Sequence, residues 1–133
     1  MAKETGLGWT TLTVEDDGGN ARDIRNDLTN LDFATPYNTQ EITGIDKFAM
    51  ERQLLLADFS GTLNSVFNPA ANRVHDVFSG NLRVARDMSI VISGQTLPNN
   101  VLFTDYALTR AAGGELTAQH PFVLADGTVP TWA

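Results

Sequence analysis

The two histidines are the residues of this sequence best suited to acid–base or metal chemistry, and they stand far apart. His75 lies beside Asp76, and His120 comes just before Pro121. The chain has no cysteine, so a zinc site would need both histidines together with carboxylates from elsewhere, and no such ligand spacing is present. A histidine on a helix surface and a histidine in a strand account for both residues more simply. We predict no metal site and no cofactor.

Nucleophilic catalysis has equally little support. A Ser-His-Asp triad stays open on sequence alone, because its members lie far apart along a chain. However, Ser60 falls on the polar side of a predicted strand, and Phe59-Ser60-Gly61 does not have the form of a nucleophile elbow. We therefore predict no catalytic residues, and we expect that the chain is not an enzyme.

Two loop patterns and a set of aromatic residues suggest binding sites only weakly. Residues 15–20, an acidic run ending in Gly-Gly-Asn, lack the alternating ligands of an EF-hand loop. The glycines at residues 6–8 and 18–19 lack the lysine of a phosphate-binding loop. A lectin-like site could use aromatic platforms, but these residues are scattered and each has a simpler use in a core or an interface. The aromatic candidates are Trp9, Tyr37, Tyr106 and Trp132.

The net charge of −7 is concentrated in the first half of the chain. Residues 1–66 carry 5 Lys and Arg against 11 Asp and Glu, a net of −6, whereas residues 67–133 carry 4 against 5, a net of −1. This balance argues against ordinary nucleic-acid binding, which needs Lys and Arg to displace counterions. It would suit a surface that must not adhere to polyanions, although acidic surfaces also simply keep proteins soluble.

The length and the apolar pattern indicate one domain that does not enter a membrane. At 133 residues the chain can bury about two-thirds of its unfolded surface. No apolar run approaches the length of a membrane span. The first residues lack the apolar core of a signal peptide. We expect a terminal arm at residues 1–9, a single domain at residues 10–133, and synthesis in a cytoplasm.

Residues 54–78 carry the clearest local pattern, and the other β predictions are arranged around them. Apolar residues alternate with polar ones from Leu55 to Phe67, which predicts one long half-buried strand. Gly61 in its middle indicates a bulge or a close approach of two backbones. Asn68 and Pro69 are a suitable N-cap and first residue, so we predict a short helix at about residues 69–79.

The rest of the chain is predicted to consist mainly of short strands and turns. We predict strands at residues 10–14, 29–34, 38–43 and 83–93, and a turn at residues 95–100. Residues 101–111 and 115–124 form a predicted hairpin across a Gly-Gly turn. Many short strands with one helix predict a mostly β fold, a sandwich or barrel with one short flanking helix.

A set of short strings, made up of packing and turn residues, occurs in a fixed order along residues 10–133. The strings are Glu41-Ile42-Thr43-Gly44-Ile45-Asp46-Lys47, Met50-Glu51-Arg52, residues 54–64, Phe67-Asn68, His75-Asp76-Val77-Phe78, Ile92-Ser93-Gly94-Gln95, Leu108-Thr109-Arg110 and residues 121–127. Their order over most of the chain resembles the major tail proteins, or tail tube proteins, of long-tailed bacteriophages, most closely those of phages that infect actinobacteria.

The resemblance implies a structural role in a virion. Members of this family fold as a β-sandwich flanked by one helix, form hexameric rings, and stack the rings into a hollow tube. Sheets from six subunits line the tube, through which the tape-measure protein and the genome DNA pass without specific binding. The implied partners are further copies of the chain, the tape-measure protein, and tail-tip and tail-terminator proteins. The tube would be assembled in the bacterial host cytoplasm.

Three sets of residues are candidates for roles in such a tube. A lumen lined with carboxylates would repel DNA phosphates, and its candidates are Asp27, Asp32 and Glu41. Residues 44–53 are the candidate ring-stacking loop, unless they form a short helix folded back onto their own core. The loop residues concerned are Asp46, Lys47, Phe48, Met50, Glu51 and Arg52. Trp9 and Trp132 are candidate interface anchors near the two termini.

Other readings of the sequence stay open beside the tail tube. A tail terminator or the tube of a contractile system would have a similar fold, and a terminator would form one ring and stop. A soluble β-sandwich binding module would be monomeric, with aromatic side chains grouped on one face. An enzyme is the last of these alternatives.

Overall fold

The computed structural model describes Lys3 and residues 5–133. The predicted terminal arm, residues 1–9, includes Met1, Ala2 and Glu4, which lie outside the described residues. The first strand begins at Trp9. Trp9, predicted as the last residue of the N-terminal segment 1–9, is therefore part of the sheet.

The described residues form ten strands and one short α-helix. The strands are β1 (Trp9–Glu15), β2 (Ala21–Asp23), β3 (Leu28–Ala34), β4 (Tyr37–Glu41), β5 (Arg52–Ala57), β6 (Ser60–Val66), β7 (Arg86–Ile92), β8 (Gln95–Phe103), β9 (Ala107–Arg110) and β10 (Leu116–Leu124); the helix α1 is Val74–Phe78. The mostly β fold with one short helix is confirmed. None of the described helices is long and apolar enough to cross a membrane.

Eight of the strands form one antiparallel sheet in the order β2-β1-β7-β8-β10-β6-β3, and β9 also pairs with β10. The remaining pair, β4 and β5, forms a separate two-stranded sheet. Strand β10 is central because β6 occupies one of its edges, while β8 and β9 share the other. The sheet curls, so that the ring of Trp9 in β1 comes within 6.4 Å of the ring of Phe33 in β3.

Alternation along the strands places one face of the curled sheet on a shared core. Leu12 and Val14 of β1 and Met88 and Ile90 of β7 are all buried, and Leu63 of β6 packs into the same cluster. Helix α1 covers the core with its three buried apolar residues, Val74, Val77 and Phe78. Burial of that apolar stripe stabilises the helix, because five residues are too few to be helical alone in water.

The helix is shorter than the predicted residues 69–79. Asn68 forms a turn instead of a cap, since its side-chain oxygen accepts from the backbone N–H of Ala70 at 3.1 Å. Asn72 then has a φ of 64°, a left-handed conformation that cannot continue into a helix. The helix therefore begins only at Val74, whose backbone N–H donates to the Asp27 carboxylate at 3.2 Å.

The predicted single strand from residue 55 to residue 67 is wrong. The chain forms β5 and β6, which belong to different sheets and are separated by Asp58 and Phe59. The predicted close approach at Gly61 is confirmed. A Cβ on Gly61 would lie 2.1 Å from the backbone oxygen of Asp32, so only glycine lets β6 approach β3 this closely.

The predicted turn at residues 95–100 is also wrong. The turn lies just before it, at Ser93 and Gly94, whose φ angles are 48° and 82°. Strand β8 starts immediately afterwards, at Gln95. Pro98 is tolerated within β8 because this half of the strand has β7 on one edge and no strand on the other.

Candidate assembly surfaces

Strands β3 to β6 form one long, kinked ribbon that leaves the body of the protein. β3 pairs with β6 inside the large sheet, and β4 pairs with β5 beyond it. Two short connections separate these halves, Thr35-Pro36 on one strand and Asp58-Phe59 on the other. They are joined by a hydrogen bond of 2.8 Å from the Asp58 N–H to the Pro36 oxygen. We call residues 37–57, the outer half of this ribbon, the arm.

Both faces of the arm present apolar side chains to solvent. Neighbouring residues of a strand point to opposite faces, so Leu54 and Leu56 lie on one face of β5 and Leu55 lies on the other. Tyr37 pairs with Ala57, and both share the face of Leu55. Of the fifteen exposed large hydrophobic residues in the described chain, the arm carries eight: Tyr37, Ile42, Ile45, Phe48, Met50, Leu54, Leu55 and Leu56. A two-stranded hairpin is marginal in water without such faces covered.

The tip of the arm is a closed loop and contains no helix, so the alternative of a short helix folded onto its own core is wrong. Thr43 closes the base of the loop, because its hydroxyl accepts from the Glu51 N–H at 2.8 Å. A second contact joins the Ile42 N–H to the Glu51 oxygen at 2.9 Å. Beyond this closure Ile45 and Phe48 are fully exposed.

The remaining predicted stacking residues are also exposed, and they surround this tip. Met50 contacts Arg52, with 3.1 Å between the sulfur and a guanidinium nitrogen. Arg52 opens β5 and pairs across the arm with Glu41. Asp46, Lys47 and Glu51 lie in the loop itself. The structure thus brings all six predicted stacking residues to one end of the arm.

One of the three predicted lumen acids is not at the surface. Asp27 is only 3% exposed, and its carboxylate accepts from the side chain of Asn68 at 2.8 Å and from the N–H of Val74. The prediction that it faces a lumen is therefore wrong, because its charge holds the start of helix α1. Asp32 and Glu41 are exposed. The Asp32 carboxylate accepts from the Thr62 N–H at 3.1 Å, across the ribbon.

The two tryptophans meet on the body of the chain. Both rings pack on Phe33, at 6.4 Å for Trp9 and 6.3 Å for Trp132. The chain end is also attached, since Ala133 exchanges two backbone hydrogen bonds with Thr96. Trp132 nevertheless stays half exposed, so it could contact a neighbour as well as its own chain.

The histidines belong to an aromatic cluster in the interior. His120 is fully buried, stacks on Phe78 at 4.0 Å, and has its Nε2 atom 2.8 Å from the Ser65 hydroxyl. Burial lowers the pKa of His120 to about 4, so the ring is neutral at pH 7. His75 is hydrogen-bonded to the Tyr106 hydroxyl at 2.9 Å, and burial raises the pKa of Tyr106. Within the described chain, no group of three or more His, Asp or Glu residues is arranged to hold a metal ion.

Arg86 is a buried residue that the sequence pattern did not single out. Its guanidinium donates to the backbone oxygens of Val77 at 2.5 Å and Asn81 at 3.0 Å, beside the end of helix α1. A cation is favourable there because it meets carbonyl groups that the helix leaves free. Burial lowers the pKa of Arg86. The residue connects β7 to the helix and has a structural role.

Comparison with known proteins gives structural matches only. No family model and no curated protein matches the chain. A solved tail of an empty gene transfer agent particle, refined helically with C6 symmetry, superposes with a TM-score of 0.72 at 14% identity over 98% of this chain and 99% of that one. A chain from a native gene transfer agent virion gives a TM-score of 0.69 at 15% identity, with the same coverage of both chains. The protein therefore has the fold of these gene transfer agent chains along nearly its whole length.

Proposed function

We propose that the chain is a structural subunit of a phage-like tail and that it repeats in six-membered rings, which stack into a hollow tube. The observation that carries this proposal is the arm, whose two faces both present leucine to solvent. The chain that bears this arm shares its fold with a chain of a particle tail refined with C6 symmetry and with a chain of a virion. In such an assembly each arm has neighbouring copies that can cover its faces. We propose a structural role and no catalytic activity.

The distribution of charge supports the arm as a contact between copies. Residues 37–57 carry three acidic and two basic residues, a net of −1, so the rest of the chain carries −6 of the total of −7. Copies of so acidic a chain repel one another. Repulsion is weakest where a nearly neutral, apolar segment makes the contact. We therefore assign ring stacking to the arm tip, which contains the six stacking candidates.

We further propose that Asp32 and Glu41 line the tube. Both are exposed and both lie on the kinked ribbon. Carboxylates there would repel DNA phosphates over a Debye length of about 8–10 Å, so that the genome slides without being bound. The tape-measure protein would fill the lumen before DNA does, and tail-tip and tail-terminator proteins would meet the two ends. Assembly would take place in the cytoplasm of a bacterial host.

Substitution of both acids by lysine tests this lining. We expect Asp32→Lys with Glu41→Lys to slow DNA ejection from assembled particles, because lysines would bind the passing phosphates. The matched control is Asp105→Lys with Glu115→Lys, which makes the same change in charge at exposed positions of the body. Ejection of the Asp32 and Glu41 variant at the wild-type rate would contradict the assignment of these acids to the lumen.

Electron microscopy of the full-length protein over a concentration series, with mass photometry, tests the assembly itself. We expect six-fold rings and hollow filaments, with tail-tip complexes added as nuclei where polymerisation does not begin alone. Single rings that never elongate would indicate a tail-terminator role. A monomer at every concentration, even with tail-tip complexes, would contradict the proposal and favour a soluble binding module.

A further inference from the structure

The outer face of the sheet carries a groove whose chemistry is complementary to the arm tip. The cavity has a volume of about 590 Å³ and is lined by residues of β1, β7 and β8 on one side and by residues 126 and 128–131 on the other. Thr13, Ser89 and Pro98 form its floor, pointing away from the core residues with which they alternate. Pockets of about 300–1,000 Å³ are large enough to hold several side chains or a small ligand.

The rim of the groove is acidic and held in a fixed geometry. Glu15 accepts from the Asp87 N–H at 3.0 Å, Asp87 accepts from the Asn100 side chain at 2.7 Å, and Asp126 accepts from the Thr128 N–H at 3.0 Å. Each of these contacts uses one oxygen of a carboxylate. None of the three acids forms an ion pair with another described residue. A cation from outside the chain is therefore the complementary group for this rim.

The groove also has an apolar wall, which an ion alone would leave uncovered. Val129 and Pro130 of the C-terminal segment line one side, and Pro98 of β8 adds apolar surface to the floor beside them. An occupant that fits both features carries a positive charge beside apolar side chains. A metal ion would satisfy the carboxylates but would make no use of this wall.

The arm tip has that combination of side chains. Ile45 and Phe48 are fully exposed, and Lys47, one of only two lysines in the chain, lies between them. In the described chain Lys47 forms no ion pair. The tip and the groove are different surfaces of one molecule, so their contact is heterologous. A heterologous contact that does not close on itself generates an open filament.

We propose that the arm tip of one copy seats in the groove of a second copy, with Lys47 toward the acidic rim and Phe48 against the apolar wall. The inference rests on the proposed function, because it requires copies of the chain to stack. It adds the surface that receives the tip, and it makes the stacking contact partly electrostatic. Stacking should accordingly weaken as the salt concentration rises.

Cross-linking between cysteines tests the contact directly, and the chain offers a cysteine-free background. One batch of protein carries Phe48→Cys and a second, tagged batch carries Thr128→Cys at the groove. After mixing, assembly and mild oxidation, we expect a disulfide-linked heterodimer. The matched control replaces Thr128→Cys with Ala112→Cys, an exposed position in the turn between β9 and β10, which should cross-link at least tenfold less.

Exchange of charge tests the same contact without cysteines. We expect Lys47→Glu and Asp126→Lys each to raise the concentration needed for filaments about tenfold, and the two together to restore much of the loss, because opposite charges again face each other. The docking would be overturned if the wild-type chain forms filaments but the Phe48→Cys and Thr128→Cys pair cross-links no more than the control, and the double charge variant assembles no better than the single ones. The proposed tube would stand in that case. A wild-type chain that forms no rings or filaments even with tail-tip complexes would overturn the proposed function instead.

Discussion

The arm and the body use the same residue type in opposite ways. Leu63 of β6 is fully buried, whereas Leu56 of β5, seven residues earlier on the same ribbon, is 81% exposed. In the body, leucines alternate with polar residues and one sheet face meets the core. In the arm, three leucines follow one another and both faces meet solvent. A run without alternation at the surface therefore indicates partners outside the chain, since apolar patches of this kind mark interaction sites.

The largest expected effect on folding is in the body. Leu63→Ala should lower the free energy of unfolding by about 2–5 kcal/mol, because it removes transfer energy and leaves a cavity in a close-packed core. Urea denaturation followed by fluorescence measures the change. A loss below 1 kcal/mol would mean that the core beneath β6 is loosely packed, and the contrast with the arm would weaken.

A pH titration of stability should report on His120 at the centre of the body. In the unfolded chain His120 binds a proton near pH 6.5, but in the folded chain it binds one only near pH 4. Between these values the unfolded state holds more protons, so the free energy of unfolding falls as the pH falls, by about 3 kcal/mol in total. His120→Gln should flatten this part of the pH profile, and His75→Gln serves as the control.

Asp27 is a buried acid that contacts the start of helix α1, whereas Asp32 is an exposed acid, and substitution should distinguish the two. Asp27→Asn should lower the free energy of unfolding by about 1–2 kcal/mol, since the helix loses the charge that accepts from the Val74 N–H. Asp32→Asn should change it by less than about 0.5 kcal/mol, as is usual for exposed substitutions. Denaturation of both variants under identical conditions checks the difference. Equal losses in the free energy of unfolding would mean that Asp32 stabilises the fold as much as Asp27 does.

The smallest effect on folding, and a large effect on assembly, is expected in the arm. Leu56→Ser should change the free energy of unfolding of the monomer by less than about 0.5 kcal/mol but prevent filament formation, because only another copy covers this leucine in the proposed tube. Leu116→Ser, at an exposed leucine of the body, is the matched control. Filaments of Leu56→Ser at the wild-type concentration would show that this face of the arm contacts nothing.

Alternation predicted most of the body correctly, because a buried face imposes a period of two on β1, β6, β7 and β10. It failed where the arm joins the body, because Leu55 and Ala57 continue the odd-numbered apolar series of β6 although Asp58 and Phe59 separate the two strands. Periodicity reports which residues can share a face, and it does not report which sheet they join. The alternation therefore predicted one continuous strand across the short break between β5 and β6.

The roles of Asp27 and Arg86 could not be predicted for a different reason. Each is buried by contacts with distant parts of the chain, Asp27 with Asn68 and the start of the helix, Arg86 with Val77 and Asn81. The sequence around Asp27 is polar and predicts exposure. Only the fold brings a helix terminus to each charge, and charged residues are seldom buried without such partners.

The kink between the two halves of the ribbon has a mechanical consequence. Arm and body meet at Thr35-Pro36 and Asp58-Phe59, where the two strands are joined by the hydrogen bond from Asp58 to Pro36. In a tube whose rings connect through arms, each such joint would act as a short flexure between stiff discs. Bending of the whole filament would then be shared among many such joints, and a long tail could curve without any ring changing shape.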